Sequence, residues 1–201
     1  ALGVPHLSAY SLMFEEGTPL TRLLEEGKIK EMEDEESWRC YDLLCKKLHD
    51  AGYEHYEISN FSKPGMHSRH NSAYWQGALY MGFGAGAHSY NGKDVRRANL
   101  PSLNQYIEAL SGNNSQPYFE LEKLSPTDLY NEYVMTRLRT SSGFSTDELE
   151  KSFGHNTLQH CLQAMKPHLQ QGNLLQNGTQ VVLSPQGVFI SNEVISDLFL
   201  E

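Results

Sequence analysis

Arg69, His70, Asn71, Ser72, Ala73, Tyr74 and Trp75 place a guanidinium, an imidazole, an amide, a phenol and an indole in seven consecutive positions. Gly82-Phe83-Gly84-Ala85-Gly86-Ala87-His88-Ser89 follows shortly afterwards. The first run combines polar groups with aromatic surface that must find cover, a mix suited to a planar ligand with an acidic rim. The second run lets the backbone pass close to a ligand or to another strand, with N–H donors free for an anion.

Two familiar readings of these residues fail on context. Gly82 to Ala87 can be laid on a dinucleotide-binding pattern, but Ser89-Tyr90-Asn91-Gly92 reads as a turn where that pattern needs a helix. A zinc site built from His67, His70 and His88 would have no acidic or cysteine ligand at metal spacing. Among the nine histidines, His6, His49, His55, His155 and His160 have no neighbours in sequence that raise them above surface or hydrogen-bonded residues. The competing reading of the aromatic run makes Tyr74 and Trp75 core packing, with His70 hydrogen-bonded to backbone.

The elements that must position these residues begin with a strand around His6 to Phe14. Its mostly unalternating apolar character suits a sheet covered on both faces, and it implies neighbouring strands upstream. A short helix is expected from Pro19 to Glu26. A longer one is expected from Glu35 to Ala51, capped by Asp34 and stopped by Gly52, with Trp38, Tyr41, Leu44, Cys45 and Leu48 on one face. Tyr53 to Ile58 reads as the next strand, giving a strand, crossover helix and strand as in a parallel α/β layer. Ser59 to His70 would then leave that strand at its carboxyl end, where such layers gather ligands.

Composition bounds the class. With 201 residues, 39% apolar and 20% charged, the chain is an ordinary globular protein, and no apolar run is long enough for a bilayer. Three scattered cysteines, Cys40, Cys45 and Cys161, make no disulfide framework, so a cytoplasmic location is expected. The net charge of −9 disfavours nucleic acid.

After about Gly112 the pattern changes. Residues 113–124 read as a linker, opening on the turn-rich Asn113-Asn114-Ser115-Gln116-Pro117. Residues 125–201 read as a small α+β domain. Ser125-Pro126-Thr127-Asp128 starts one helix with a capping box, and Ser145 to Glu148 starts a second. A third runs from Thr157 to Gln171, with Cys161 on its buried face. Asn177-Gly178 marks a hairpin, and Ser184-Pro185-Gln186-Gly187 reads as a further turn. Three helices followed by a β-ribbon is the order of a winged helix. Arg137, Arg139, Lys151 and Lys166 stand against eight carboxylates in residues 125–201, a net of minus four, so DNA binding is excluded on charge.

Four segments carry a family resemblance: HLSAYSLMFEEGTPL at 6–20, GYEHYEISNFSKPG at 52–65, HNSAYW at 70–75 and GFGAGAHS at 82–89. In this order and spacing they resemble the carboxyl-terminal half of HemW-type proteins, radical S-adenosylmethionine (SAM) proteins related to oxygen-independent coproporphyrinogen III oxidase. The resemblance implies an α/β fold: residues 1–112 as the end of a partial β/α barrel, followed by the winged-helix-like domain. HNxxYW is its specific part, since it marks the haem-chaperone branch and is absent from the oxidases.

That resemblance implies a haem-binding chaperone that passes haem to acceptor proteins at the membrane. It also implies a 4Fe-4S cluster and SAM, held by a C-x3-C-x2-C motif that this chain lacks. His70, Asn71, Tyr74 and Trp75 match HNxxYW and take on a haem-binding role. His70 is then an axial ligand, the aromatic rings pack on the porphyrin, and Arg69 pairs with a propionate. Ser11 and His88 match positions on the SAM side. Self-association through residues 6 to 14 is expected from an exposed strand edge. Coproporphyrinogen III oxidation and a cofactor-free winged-helix interaction module are the alternative functions.

Overall fold

The computed structural model describes residues 3–112 and 118–201, so the opening of the expected linker, Asn113 to Pro117, lies outside the described residues. Two compact units meet in sequence between Ser68 and Arg69. Gly112 lies inside the second of these units.

The first unit is built on a three-stranded sheet of order β1-β3-β2, from β1 (His6–Ser8), β2 (Glu54–Glu57) and β3 (Asn60–Ser62), with helices α1 (Pro19–Glu25) and α2 (Asp34–Asp50). The helices form where the sequence predicts. Thr18 caps α1 by accepting from the Thr21 N–H at 3.2 Å. Trp38, Tyr41, Leu44, Cys45 and Leu48 are the half-buried face of α2. The expected cap differs: α2 already includes Asp34, and Glu33 stands at the N-cap without a side-chain bond.

The strand order corrects the parallel unit. β1 and β2 run in the same direction with α2 between them, but both pair antiparallel with β3, which separates them. Asn60, Phe61 and Ser62 are therefore the centre of the sheet, and all three are buried. They read as loop because two of the three are polar. The Asn60 side chain is satisfied from both neighbouring strands: Ser8 Oγ donates to Asn60 Oδ1 at 2.6 Å, and the Asn60 amide donates to the buried Glu57 carboxylate. Residues 63–68 leave this sheet from β3, so they do not follow the carboxyl end of β2 as expected.

The second unit opens with α3 (Arg69–Trp75) and continues into the antiparallel sheet β4-β5-β6, formed by β4 (His88–Tyr90), β5 (Val95–Asn99) and β6 (Phe119–Lys123), with α4 (Leu103–Leu110) between β5 and β6. β6 takes up five of the residues expected as linker, 119–123, and pairs with β5 along its whole length, Val95 opposite Lys123 to Asn99 opposite Phe119. Ser89 and Tyr90, expected to open a turn, belong to the strand β4, and the turn follows at Asn91 to Asp94. There Asn91 Oδ1 accepts from the N–H groups of Lys93, Asp94 and Val95 at 2.8, 2.9 and 3.0 Å.

The carboxyl-terminal part has the winged-helix order: α5 (Pro126–Leu138), β7 (Phe144–Ser145), α6 (Thr146–Phe153), α7 (His155–Gln171), β8 (Leu174–Asn177) and β9 (Gln180–Leu183), the strands ordered β7-β9-β8. The capping box of α5 is made in full by Ser125 and Asp128. The second expected box is not, because Ser145 is spent on pairing with Gln180 in the sheet. Ser184-Pro185-Gln186-Gly187 is a helix start, with Ser184 Oγ accepting from the Gly187 N–H at 3.0 Å, and leads into α8 (Pro185–Phe189) and α9 (Ser191–Ser196). Tyr130, Val134 and Leu138 of α5, Leu149, Cys161, Met165, Val181 and Val194 form one buried core. Among the described residues no helix is long and apolar enough to cross a membrane.

Candidate functional site

The HNxxYW run folds as the short helix α3, whose end is set by Gly77. Its φ of +71° lies in the left-handed region, and its N–H bonds the Tyr74 carbonyl at 3.0 Å while the Ala78 N–H bonds that of Ala73 at 3.0 Å. This is the paired closure that a glycine just past a helix permits. It fixes the last turn, which carries Tyr74 and Trp75.

Helical spacing divides the motif into two faces. His70 and Tyr74, four residues apart, are both exposed, Tyr74 at 43%. Asn71 and Trp75, also four apart, are half-buried. Among the described residues the His70 imidazole has no hydrogen bond, ion pair or ring contact, and Arg69 likewise has no bound carboxylate. The backbone-bonded alternative for His70 is not what the structure has.

Trp75 is held from two sides. The Arg139 guanidinium lies 5.2 Å from its ring centroid, and Tyr74 meets it edge-on at 5.0 Å with an interplanar angle of 82°. Its Nε1 is buried without a hydrogen-bond partner among the described residues. The indole is thus spent on joining α3 to the end of α5, and the exposed aromatic surface of the motif is that of Tyr74.

Tyr74 begins a row of phenol rings. Tyr80 lies 5.7 Å from it and Tyr90 a further 6.1 Å on, with the backbones of Tyr80 and Tyr90 paired by N–H to O bonds of 3.1 and 2.9 Å. The glycine run connects this pairing to β4. Gly82 must lack a side chain, since a Cβ there would sit 2.1 Å from the His88 carbonyl oxygen. Its N–H donates to Ser89 Oγ at 3.0 Å, and the Gly84 N–H donates to the Tyr106 hydroxyl at 3.0 Å. These donors are occupied by protein, which removes the expected anion role from Gly82 and Gly84.

The remaining residues singled out in the sequence fall apart into separate settings. His88 is exposed at the start of β4, with no side-chain partner among the described residues. Ser11, in the first unit, is exposed on the segment after β1 and lines a hollow with Tyr10, Cys40 and Tyr41. His67 stacks on Tyr56 at 4.3 Å and bonds Glu54 at 2.9 Å, which occupies it within the first unit. His55 stacks on Phe61 at 4.1 Å, and burial pushes its pKa down.

The cysteines do not fit an iron-sulfur site. Cys40 and Cys45 share one helix, and Cys161 is 0% exposed in the core, its thiol pKa raised by burial. Among the described residues no three His, Cys, Asp or Glu side chains are grouped to hold a metal ion.

Sequence reasoning missed Tyr80, Tyr90, Lys93, Arg96 and Arg137. With Tyr74 they surround a cleft of about 270 Å³ beside α3. Arg96 bonds Glu132 at 2.6 Å. Burial works against its charge, and Glu132 outweighs that effect. No periodicity connects these positions, so only the tertiary fold gathers them.

Residues 124–190 match the family described as HemN C-terminal domain. A protein named "Heme chaperone HemW" from Bacillus subtilis is 30% identical over 96% of this chain and 51% of its own length. Another of that name, from Mycobacterium tuberculosis, is 32% identical over 98% of this chain and 48% of its own. Over nearly its whole length this chain is similar to proteins named heme chaperone HemW. It spans about half the length of the curated relatives it matches. In fold it is similar to the radical SAM enzyme coproporphyrinogen III oxidase (HemN) from Escherichia coli, with a TM-score of 0.69 at 16% identity over 97% of this chain and 48% of that one. At that identity the likeness speaks for the fold.

Proposed function

We propose that the intact protein containing this chain binds haem and passes it to acceptor proteins, with the exposed face of α3 as a haem contact. The observation that carries this reading is the pairing of a free His70 imidazole with an exposed Tyr74 ring one helical turn away, in a chain whose relatives bear the name haem chaperone. A neutral imidazole ligates haem iron, and a phenol ring packs on the porphyrin face. Arg69, exposed at the start of the same helix, is a further haem contact, and Asn71 supports the helix from its half-buried side.

In the full-length protein a 4Fe-4S cluster with SAM supplies radical chemistry, and no step of it is assigned to the cysteines here. The SAM-side roles of Ser11 and of His88 are separate proposals, each tested by the effect of its own alanine variant on SAM affinity. Acceptors at a membrane surface and a cytoplasmic location belong to the same reading, and for this chain on its own the exposed edge of β1 is a site of self-association. Exposed Tyr10, Leu12 and Met13 beside that edge support the last of these, at 74%, 68% and 69%.

The test is haemin titration of the intact protein, followed through the Soret band. His70→Ala is expected to change the shape of the band and weaken binding, because an axial bond to iron is lost. A His70→Ala protein with unchanged spectrum and affinity, beside a His88→Ala protein that loses both, would move the ligand to the glycine segment.

A further inference from the structure

The cleft beside α3 has a charge pattern at odds with the chain around it. Lys93, Arg96 and Arg137 line it together with one carboxylate, Glu132, in a protein of net charge −9. Glu132 is engaged by Arg96 at 2.6 Å. That leaves two cations without an acid. Among the described residues the Lys93 ammonium has no ion pair, and the Arg137 guanidinium has only the Tyr133 ring, 5.5 Å away.

Both cations are carried on ordered structure. Lys93 stands on the Asn91 turn, whose three N–H bonds to Asn91 Oδ1 are joined by the Tyr90 hydroxyl donating to the Lys93 carbonyl at 2.9 Å. Arg137 is on the last turn of α5. The rings of Tyr74, Tyr80 and Tyr90 line the same cleft. Two cations without an acid in a cleft with aromatic walls suit a flat ligand with carboxylates at its edge.

Size restricts how such a ligand lies. About 270 Å³ falls just below the roughly 300–1,000 Å³ typical of pockets that enclose a whole small molecule. The cleft therefore takes one edge of a larger ligand and leaves the rest outside, toward Tyr74, which belongs to both the cleft and the exposed face of α3.

We propose that this cleft is the carboxylate-recognition subsite for haem, with Lys93 and Arg137 pairing with the propionates while the macrocycle extends over Tyr74. The proposal rests on the haem-binding reading above and adds to it the orientation of the ligand: propionate edge toward α5, iron toward His70.

The experiment compares haemin with haemin dimethyl ester, whose propionates carry no charge, on the intact protein. Wild type is expected to prefer haemin by about fivefold to tenfold, each exposed to half-buried pair contributing roughly 1.5-fold to fivefold. Lys93→Gln with Arg137→Gln is expected to bring the two ligands within about twofold of each other and to leave the shape of the bound Soret band unchanged. His70→Ala is expected to do the reverse, altering the band and keeping the preference. Lys93→Arg with Arg137→Lys should behave as wild type. Should the double glutamine variant fail to fold, Lys93→Gln alone, on an exposed side chain, should still lower the preference about threefold. Retention of the full preference by the folded glutamine variants, or no preference in wild type, overturns the subsite and leaves the haem reading standing. Failure of wild type to bind either porphyrin removes the haem reading itself.

Discussion

Replacing Trp75 by alanine should destabilise the second unit far more than it alters haem spectroscopy. Truncating a fully buried tryptophan costs about 3–5 kcal/mol, and the half-buried Trp75 corresponds to roughly half of that. Loss of the Arg139 contact at 5.2 Å adds about 0.5–1 kcal/mol, and loss of the edge-on Tyr74 contact at 5.0 Å adds a similar amount. Removing Nε1, buried without a partner among the described residues, returns about 1 kcal/mol. The net is about 2–3 kcal/mol, or roughly 4–12 °C in melting temperature for a chain of this size.

The sharper half of the experiment is Trp75→Phe, which keeps an aromatic ring against Arg139 and removes the unsatisfied N–H. Its cost should stay below about 1 kcal/mol. Urea unfolding followed by circular dichroism measures both variants, and haemin titration of the same samples measures binding. A Trp75→Ala protein as stable as wild type that no longer takes up haemin would refute the assignment of the indole to packing.

Other outcomes follow from single groups. Cys40, exposed, should react with a thiol reagent first. Cys45, half-buried with its pKa raised by burial, should follow more slowly, and Cys161 should react only on unfolding, as a timed count of modified thiols would show. Asp128 has its pKa held below 3.8 by the Ser125 backbone N–H, so its contribution is present above the unfolded value and lost as pH falls through the folded one. Asp128→Asn should therefore flatten the loss of stability below about pH 4, and an unchanged acid limb would remove the capping box from that account. Gly82→Ala should cost about 1–3 kcal/mol, because its Cβ would collide with the His88 carbonyl, and a neutral melting temperature would contradict that approach.

Local chemistry was legible in the sequence and distant pairing was not. The α2 stripe, the Ser125 capping box and the Asn177-Gly178 hairpin depend on residues within a few positions of one another, and all three stand where expected. Asn60-Phe61-Ser62 escaped because a polar central strand becomes stable only when Ser8 and Glu57 arrive from β1 and β2. β6 escaped for a related reason. Its burial pattern is almost wholly exposed, so its residues carry little core signal, and the strand exists through its pairing with β5. Ser145 had the right neighbours for a cap but lies in a strand, where sheet pairing prevailed over the local option.

The same contrast separates the two jobs within HNxxYW. Its spacing holds two pairs of residues four apart, His70 with Tyr74 and Asn71 with Trp75, displaced by one position. On a helix, two such pairs point about 100° apart. One can face solvent while the other faces the protein, so a single seven-residue helix both anchors itself and presents a ligand face. That division was implicit in the spacing, but which pair turned inward was not, because it is decided by Arg139, far along the chain at the end of α5. It follows that Arg139→Ala should free the indole and couple to Trp75→Ala in a double-mutant cycle by about 0.5–1 kcal/mol. His70→Ala should show no such coupling to Arg139→Ala in stability, and a coupling equal to that of Trp75 would mean that the two faces of α3 are not independent.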